Sequence, residues 1–230
     1  MSTVAKPTQS TIPPLENGDR LTRAEFERRY EAMAGVRAEL IEGAVHMPSP
    51  VHAARHAEPH AHLIGLLFNY KIATSGVRLF TDSSVRLDLD NEPQPDASLT
   101  IDPRCGGQSK LSQDDYIEGA PELVAEVSSS TVSIDLGSKL NAYRRNGVLE
   151  YLVWRVRDRA FDWFILREGS YVPLVPDADG LLKSQTFPGL WLDPEAMLAD
   201  DLPRVIAALN RGLASPEHAA FVQRLQEGGG

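Results

Sequence analysis

One cysteine, Cys105, stands alone in 230 residues, so no disulfide can form within the chain and the fold must rest on packing. No stretch approaches the ~18 consecutive apolar residues of a membrane span. The first segment, MSTVAKPTQSTIPPLENGDR, lacks the apolar stretch of a secretory signal. These absences give the expectation of a soluble, cytoplasmic protein with no membrane partner. An excess of basic charge is missing too. Lys and Arg total 23 against 32 Asp and Glu, a formal net charge of -9. Such a chain repels a phosphate backbone at long range, which counts against nucleic acid as a partner. It leaves open a local basic patch, and carboxylates gathered to bind a cation would add to the same negative total. Walker-type and dinucleotide-type glycine patterns, HExxH and GxSxG are all absent.

What is present fits a globular chain, since 42% of the residues are hydrophobic. Composition divides it into a flexible arm over 1–20, a main domain over 21–200 and a helical tail over 201–230. Thr22 and Glu25 have capping-box spacing and predict a helix to about Met33. AELIEGAVHM at 38–47 reads as two short strands turning near Gly43, and 51–73 as a helix interrupted by Pro59. VRLFTDSSVRLDLD at 77–90 and DASLTI at 96–101 read as extended, and 103–120 as loop. ELVAEVS at 122–128 has the apolar run of a buried central strand. A helix over about 134–146 follows and ends at Gly147, then LEYLVWRV, AFDWFILREG and SYVPLVP make an antiparallel meander. Three helices, near 194–200, 202–212 and 216–226, complete the chain. The fold class is α/β, a mixed sheet flanked by helices, with strand 122–128, the next helix and strand 149–156 as a βαβ unit.

Three residues stand out chemically. Glu126 lies inside an apolar strand, where an ionised carboxylate needs a partner cation. Asp96 opens a strand directly after Pro95. Lys139 lies on the helix after the Glu126 strand. Its i,i+4 spacing from Asp135 is that of a surface ion pair worth about 0.3–0.5 kcal/mol. Alternatively, Lys139 turns toward the end of the strand, where an ammonium can orient a water or steady charge on a phosphate.

A resemblance adds to these residues. ELIEG at 39–43, SPVH at 49–52, QPD at 94–96 and EGAPELVAEVSSST at 118–131 are followed by DLGSKLNAYRRNGVLEYLVW at 135–154, GSYVPL at 169–174 and FPGLWLD at 187–193. In this order and spacing, over roughly two-thirds of the chain, they resemble the Uma-type restriction endonucleases, a branch of the PD-(D/E)xK nuclease superfamily. The resemblance implies a restriction-endonuclease-like fold and hydrolysis of DNA phosphodiester bonds with Mg²⁺, or Mn²⁺. It aligns Asp96 with the Asp of the PD motif and Glu126 with the acid of (D/E)xK. The lysine expected two residues later is replaced by Ser128, and Lys139 matches the helix position that supplies the lysine in this family. Glu39 matches the acid of the ELIDG-like segment, and His52 the histidine of SPxH. The implied metal ligands are Asp96, Glu126, the carbonyl of Val127 and Glu39, with Asp96, Glu126, Lys139 and Glu39 as the catalytic set. A homodimer fits the general frequency of symmetric dimers.

Two other readings compete. One is a catalytically silent binding or assembly protein that keeps the nuclease fold. The other is a zinc site from His52, His56 and His60, spaced i,i+4,i+8 with His62 nearby, although Pro59 disturbs that helix and no cysteine is close. Ser128, Ser129 and Ser130 read as helix-capping residues, Trp154, Trp163 and Trp191 as core or rim, and Arg144, Arg145, Arg155, Arg157 and Arg159 as a solvated surface or a phosphate-binding patch.

Overall fold

Six consecutive residues without one exposed side chain, Leu123–Ser128, form the strand around which the chain is arranged. The computed structural model describes residues 12–33, 35–47 and 56–229. In chain order these form α1 (Arg23–Tyr30), β1 (Glu39–Ile41), β2 (Ala44–His46), α2 (Glu58–Ala73), β3 (Val77–Thr81), β4 (Val85–Arg86) and β5 (Ala97–Ile101). Then come β6 (Lys110–Leu111), β7 (Ile117–Glu118), β8 (Leu123–Ser128), a single turn α3 (Val132–Ile134), a π-helical turn (Asp135–Lys139) and α4 (Leu140–Asn146). The chain ends with β9 (Glu150–Arg155), β10 (Ala160–Arg167), β11 (Ser170–Pro173), β12 (Leu182–Lys183), β13 (Trp191–Leu192), α5 (Pro194–Leu198), α6 (Leu202–Leu213) and α7 (Pro216–Gly228).

The main sheet is mixed, with strand order β11-β10-β9-β8-β5-β3. β8 and β9 pair in parallel from Leu123↔Glu150 to Ser128↔Arg155, joined through the α3–α4 segment as the βαβ pattern predicts. β9, β10 and β11 form the expected antiparallel meander. Period-two alternation splits β8 between two cores. Leu123, Ala125 and Val127 face α2, α6 and α7, packing with Leu63, Leu67, Leu209 and Phe221. Val124 faces the opposite side with Tyr143 of α4 and with Tyr151 and Val153 of β9. Glu126 shares the parity of Val124, and that assigns it to the face covered by the helix. Trp154 and Trp163 are buried in the first core.

The N-terminal elements form a third core, from Leu15, Phe26, Ala38, Leu40 and Val45. β1 and β2 are joined through Glu42 and Gly43, whose φ values of 51° and 70° are those of a tight hairpin turn with two left-handed residues. Residues 12–20 run beside β2, with Gly18 N–H donating to Val45 O and Val45 N–H to Asp19 O. The capping box at Thr22 does not close. The Thr22 side chain makes no cap bond, and the Glu25 carboxylate is taken by Arg28 and Arg29 at 2.6–2.8 Å. Pro59 sits in the first turn of α2, where its missing N–H costs no helical bond; positions 48–55 lie outside the described residues. The segment 103–120, read as loop, contributes β6 and β7 to a small sheet with β4. No helix among the described residues is long and apolar enough to cross a membrane.

Glu150, fully buried at the start of β9, ties the sheet to the segment before β13. Its carboxylate accepts from Trp163 Nε1 at 2.8 Å, Ser184 Oγ at 2.9 Å, and the backbone N–H groups of Gln185 and Thr186 at 2.7 Å each. Removing it strands the buried donors of Trp163 and Ser184 and two part-buried backbone N–H groups, each buried donor costing about 1–3 kcal/mol when unsatisfied. Glu150→Ala is therefore expected to lower the unfolding free energy by about 3 kcal/mol or more, measured by urea denaturation. A loss under about 1 kcal/mol would show that water or a neighbouring group re-satisfies the donors.

Candidate active site

Glu126 meets its partners because the strand alternation points it at the helix. Its Oε1 accepts from Lys139 Nζ at 3.0 Å and from Tyr143 Oη at 3.0 Å. Lys139 ends the π-helical turn, whose wider spiral holds both Asp135 and Lys139 on the buried side. The Asp135–Lys139 pair is thus no surface ion pair. Both side chains are under 7% exposed, and Asp135 Oδ1 lies 3.8 Å from Nζ. Glu39, the first residue of β1, brings Oε2 to within 3.0 Å of the same ammonium and also accepts from Gln94 N–H at 3.2 Å. One lysine therefore stands among three carboxylates from a strand, a hairpin and its own helix.

Asp96 approaches from the other side. Its Oδ2 accepts from Val127 N–H at 2.6 Å, which holds the carboxylate against β8 next to Glu126. His56, just before α2, places Nδ1 2.9 Å from Val127 O and Nε2 3.5 Å from Asp96 Oδ1. His60 stacks on His56 with ring centroids 5.8 Å apart and sets Nε2 3.2 Å from the Asp96 carbonyl. His60, Asp82 and Asp96 each offer a ligand atom within 4.8 Å of the others. Asp82 is also bound by Arg37 at 2.6 Å. His62 lies apart, 3.6 Å from Asp200. His52 lies outside the described residues.

Glu39, Asp96, Glu126, Val127, Asp135 and Lys139 line one cavity of about 430 Å³, together with His56. The sequence-read candidates thus converge, Val127 included. Ser128 is buried, its Oγ 3.3 Å from Thr131 Oγ1. Four of the five arginines have other partners: Arg144 donates to Gly169 O, Arg145 pairs with Glu42, Arg155 with Asp158 and Asp162, and Arg159 donates to Leu198 O. Three contributors have no such mark in the sequence. Tyr143 carries no local sign of a polar role, the spacing of Asp135 reads as a surface pair, and His56 reads as part of a zinc alternative; each gains its place from tertiary contact.

The electrostatics follow from burial. Desolvation pushes the Glu126 carboxyl well above the usual carboxylate range; Lys139 opposes that shift, while Asp135, Asp96 and Glu39 add to it. Burial disfavours the Lys139 charge, yet Glu126, Glu39 and Asp135 outweigh it and raise its pKa well above that of a free lysine. Burial also raises Asp135. Asp96 is held below its ordinary value, because the His56 imidazole and the Val127 N–H outweigh its burial. Four carboxylates against one ammonium leave the cavity short of positive charge. The carboxylate oxygens of this lining are donors that suit a hard divalent cation.

Comparison with known proteins bears on the family and the fold. A family model described as "Uma2: Putative restriction endonuclease" matches residues 23–195, most of the chain. Among solved structures, "a putative nuclease belonging to DUF820 from Anabaena variabilis ATCC 29413" superposes with a TM-score of 0.52 at 13% identity. The match covers 79% of this chain and 97% of that one, and at this identity it shows a shared fold. No curated protein matches significantly.

The charge imbalance predicts a pH dependence. Glu126 has a folded pKa above its unfolded value near 4.5. It binds its proton more tightly in the folded state, so stability grows as pH falls through the raised pKa, and the gain is complete below about 4.5. In chelator, Glu126→Gln is expected to unfold at higher urea than wild type at pH 8. Its stability should also rise less on acidification to pH 5, since it keeps an acceptor for Lys139 and Tyr143 without the buried charge. Parallel pH profiles for the two proteins would contradict this account.

Proposed function

The chain belongs to the Uma2 family, and we propose that it is a Mg²⁺-dependent endonuclease that hydrolyses DNA phosphodiester bonds at Asp96, Glu126, Lys139 and Glu39. The observation that carries this reading is the position of Lys139 Nζ, 3.0 Å from both Glu126 and Glu39 in the cavity that Asp96 also lines. A lysine two residues after Glu126 is missing, yet an ammonium reaches the same carboxylate from the following helix.

In this reading Asp96 and Glu126 hold the cation, with the Val127 carbonyl and Glu39 completing a set of oxygen donors that Mn²⁺ also accepts. The cation, when bound, polarises the phosphate and lowers the pKa of a water. Glu126 then has a second positive partner, which relieves the carboxylate crowding around Lys139. Lys139, fixed by Glu39 and Tyr143-anchored Glu126, presents an ammonium to the attacking water or to the charge that grows on phosphorus. Hydrolysis joins the water oxygen to phosphorus, breaks one ester P–O bond and returns a proton to the departing oxygen. DNA as substrate rests on the family description. The net charge of -9 argues that the substrate is gripped locally rather than drawn in from a distance.

A catalytically silent protein that keeps this fold is the second reading. It is favoured by the internal partners that Lys139, Asp96 and Val127 already possess. One assay separates the two: purified protein with Mg²⁺, Mn²⁺ or chelator against supercoiled, linear and single-stranded DNA. Expected is cleavage that needs the cation and falls about 10²-fold or more in Asp96→Ala and in Lys139→Ala. Full activity in both variants would remove the proposed site, and absence of both cleavage and cation binding would favour the silent protein. Mg²⁺ is also expected to raise the melting temperature of wild type and not of Asp96→Ala.

A further inference from the structure

The orientation of His56 is fixed by a neighbour that can only accept. Its Nδ1 lies 2.9 Å from the carbonyl of Val127, so Nδ1 carries the hydrogen and Nε2 is the atom left for other work. Nε2 faces Asp96 Oδ1 across 3.5 Å. A direct charge-assisted hydrogen bond between such groups closes to about 2.7–2.9 Å. A gap of 3.5 Å is longer than that; two ligands about 2.1 Å from a shared cation stand about 3.0 Å apart at an octahedral right angle and about 3.4 Å apart at a tetrahedral one, so the gap leaves room for a cation between the two atoms. His60 is placed differently. Its Nε2 meets the backbone carbonyl of Asp96 at 3.2 Å, so it acts as a donor that ties α2 to the start of β5. His56 also lines the cavity that Asp96 and Glu126 line; because Nδ1 and Nε2 point to opposite sides of the ring, the Val127 carbonyl that fixes Nδ1 lies out of reach of a cation at Nε2, so Nε2 replaces that carbonyl in the donor set.

We propose that His56 is a further ligand of the cation held by Asp96, placing one nitrogen among the oxygens of the site and favouring a first-row transition dication such as Mn²⁺ over Mg²⁺. This rests on the reading of Asp96 as a metal ligand. The chemical reason is donor softness: imidazole suits transition metals, whereas Mg²⁺ is bound almost wholly through oxygen. The Val127 hydrogen bond is the outer contact that sets the tautomer, a role that backbone carbonyls commonly play for ligating histidines.

Two measurements test it. Pulsed electron paramagnetic resonance on wild-type protein loaded with Mn²⁺ should show the hyperfine coupling of one imidazole nitrogen. Calorimetric titration with Mn²⁺ and with Mg²⁺ should then show that His56→Ala and His56→Gln lose about 10–100-fold in Mn²⁺ affinity and far less in Mg²⁺ affinity. Asp96→Asn should lose both cations. No nitrogen coupling in the wild type, or an unchanged Mn²⁺-to-Mg²⁺ affinity ratio in both His56 variants, overturns the assignment of His56 while the loss in Asp96→Asn leaves the cation site standing. Wild-type protein that binds neither cation, or Asp96→Asn that binds both as wild type does, overturns the site reading together with the His56 assignment. The spectroscopic arm needs no variant, so a misfolded His56→Ala cannot shelter the proposal.

Discussion

A single buried ammonium holds this site together. Lys139 is about as deep in the protein as the carboxylates it serves, and Glu126, Glu39 and Asp135 converge on it from three different elements. Bringing such charges out of water costs several kcal/mol per ion, and only close geometry with full hydrogen bonding recovers that cost. The geometry here meets that demand on the Lys139 side, where Tyr143 adds a hydroxyl to Glu126. On the Asp96 side the compensation comes from a backbone N–H and an imidazole. The arrangement remains short of positive charge, and the proposal of a cation there rests on that shortage.

β8 is the element on which both halves depend. Its alternation sends Leu123, Ala125 and Val127 into one core and Val124 with Glu126 toward α4. Its backbone also supplies the N–H that holds Asp96 and the carbonyl that holds His56. A shift of one residue in its register would turn Glu126 into the apolar core and point Val127 at Lys139. Parallel pairing with β9 across all six residues opposes that slip. The buried strand thus fixes the fold and the placement of the candidate site through the same hydrogen-bonded ladder.

Much of this was legible in the sequence, for definable reasons. The apolar run at 122–128, the βαβ unit and the meander were visible because period and turn chemistry are local signals. The convergence of Asp96, Glu126, Lys139 and Glu39 was suggested by family resemblance and not by spacing, which favoured a surface pair for Lys139. A π-helical turn has no clear sequence mark, so the burial of Asp135 could not be read from an i,i+4 pattern. The open capping box at Thr22 failed for a similar reason. Two arginines on the following turn outcompete the backbone for Glu25, and the pattern of Thr22 and Glu25 alone does not weigh that competition. His56 was visible only as one of several histidines, because its two partners lie 40 and 71 positions away.

Those separations bear on how the protein is made. The hairpin residue Glu39 and the α2-flanking His56 leave the ribosome long before Lys139, and β8 gains its parallel neighbour only once residues 150–155 have been synthesised. A nascent chain therefore has no complete cluster, and neither does a fragment cut between Glu126 and Lys139. Whatever chemistry the cavity performs is withheld until the polypeptide has closed its βαβ crossover. For a protein read as cutting DNA, this ordering ties the onset of the proposed reactivity to the completion of folding.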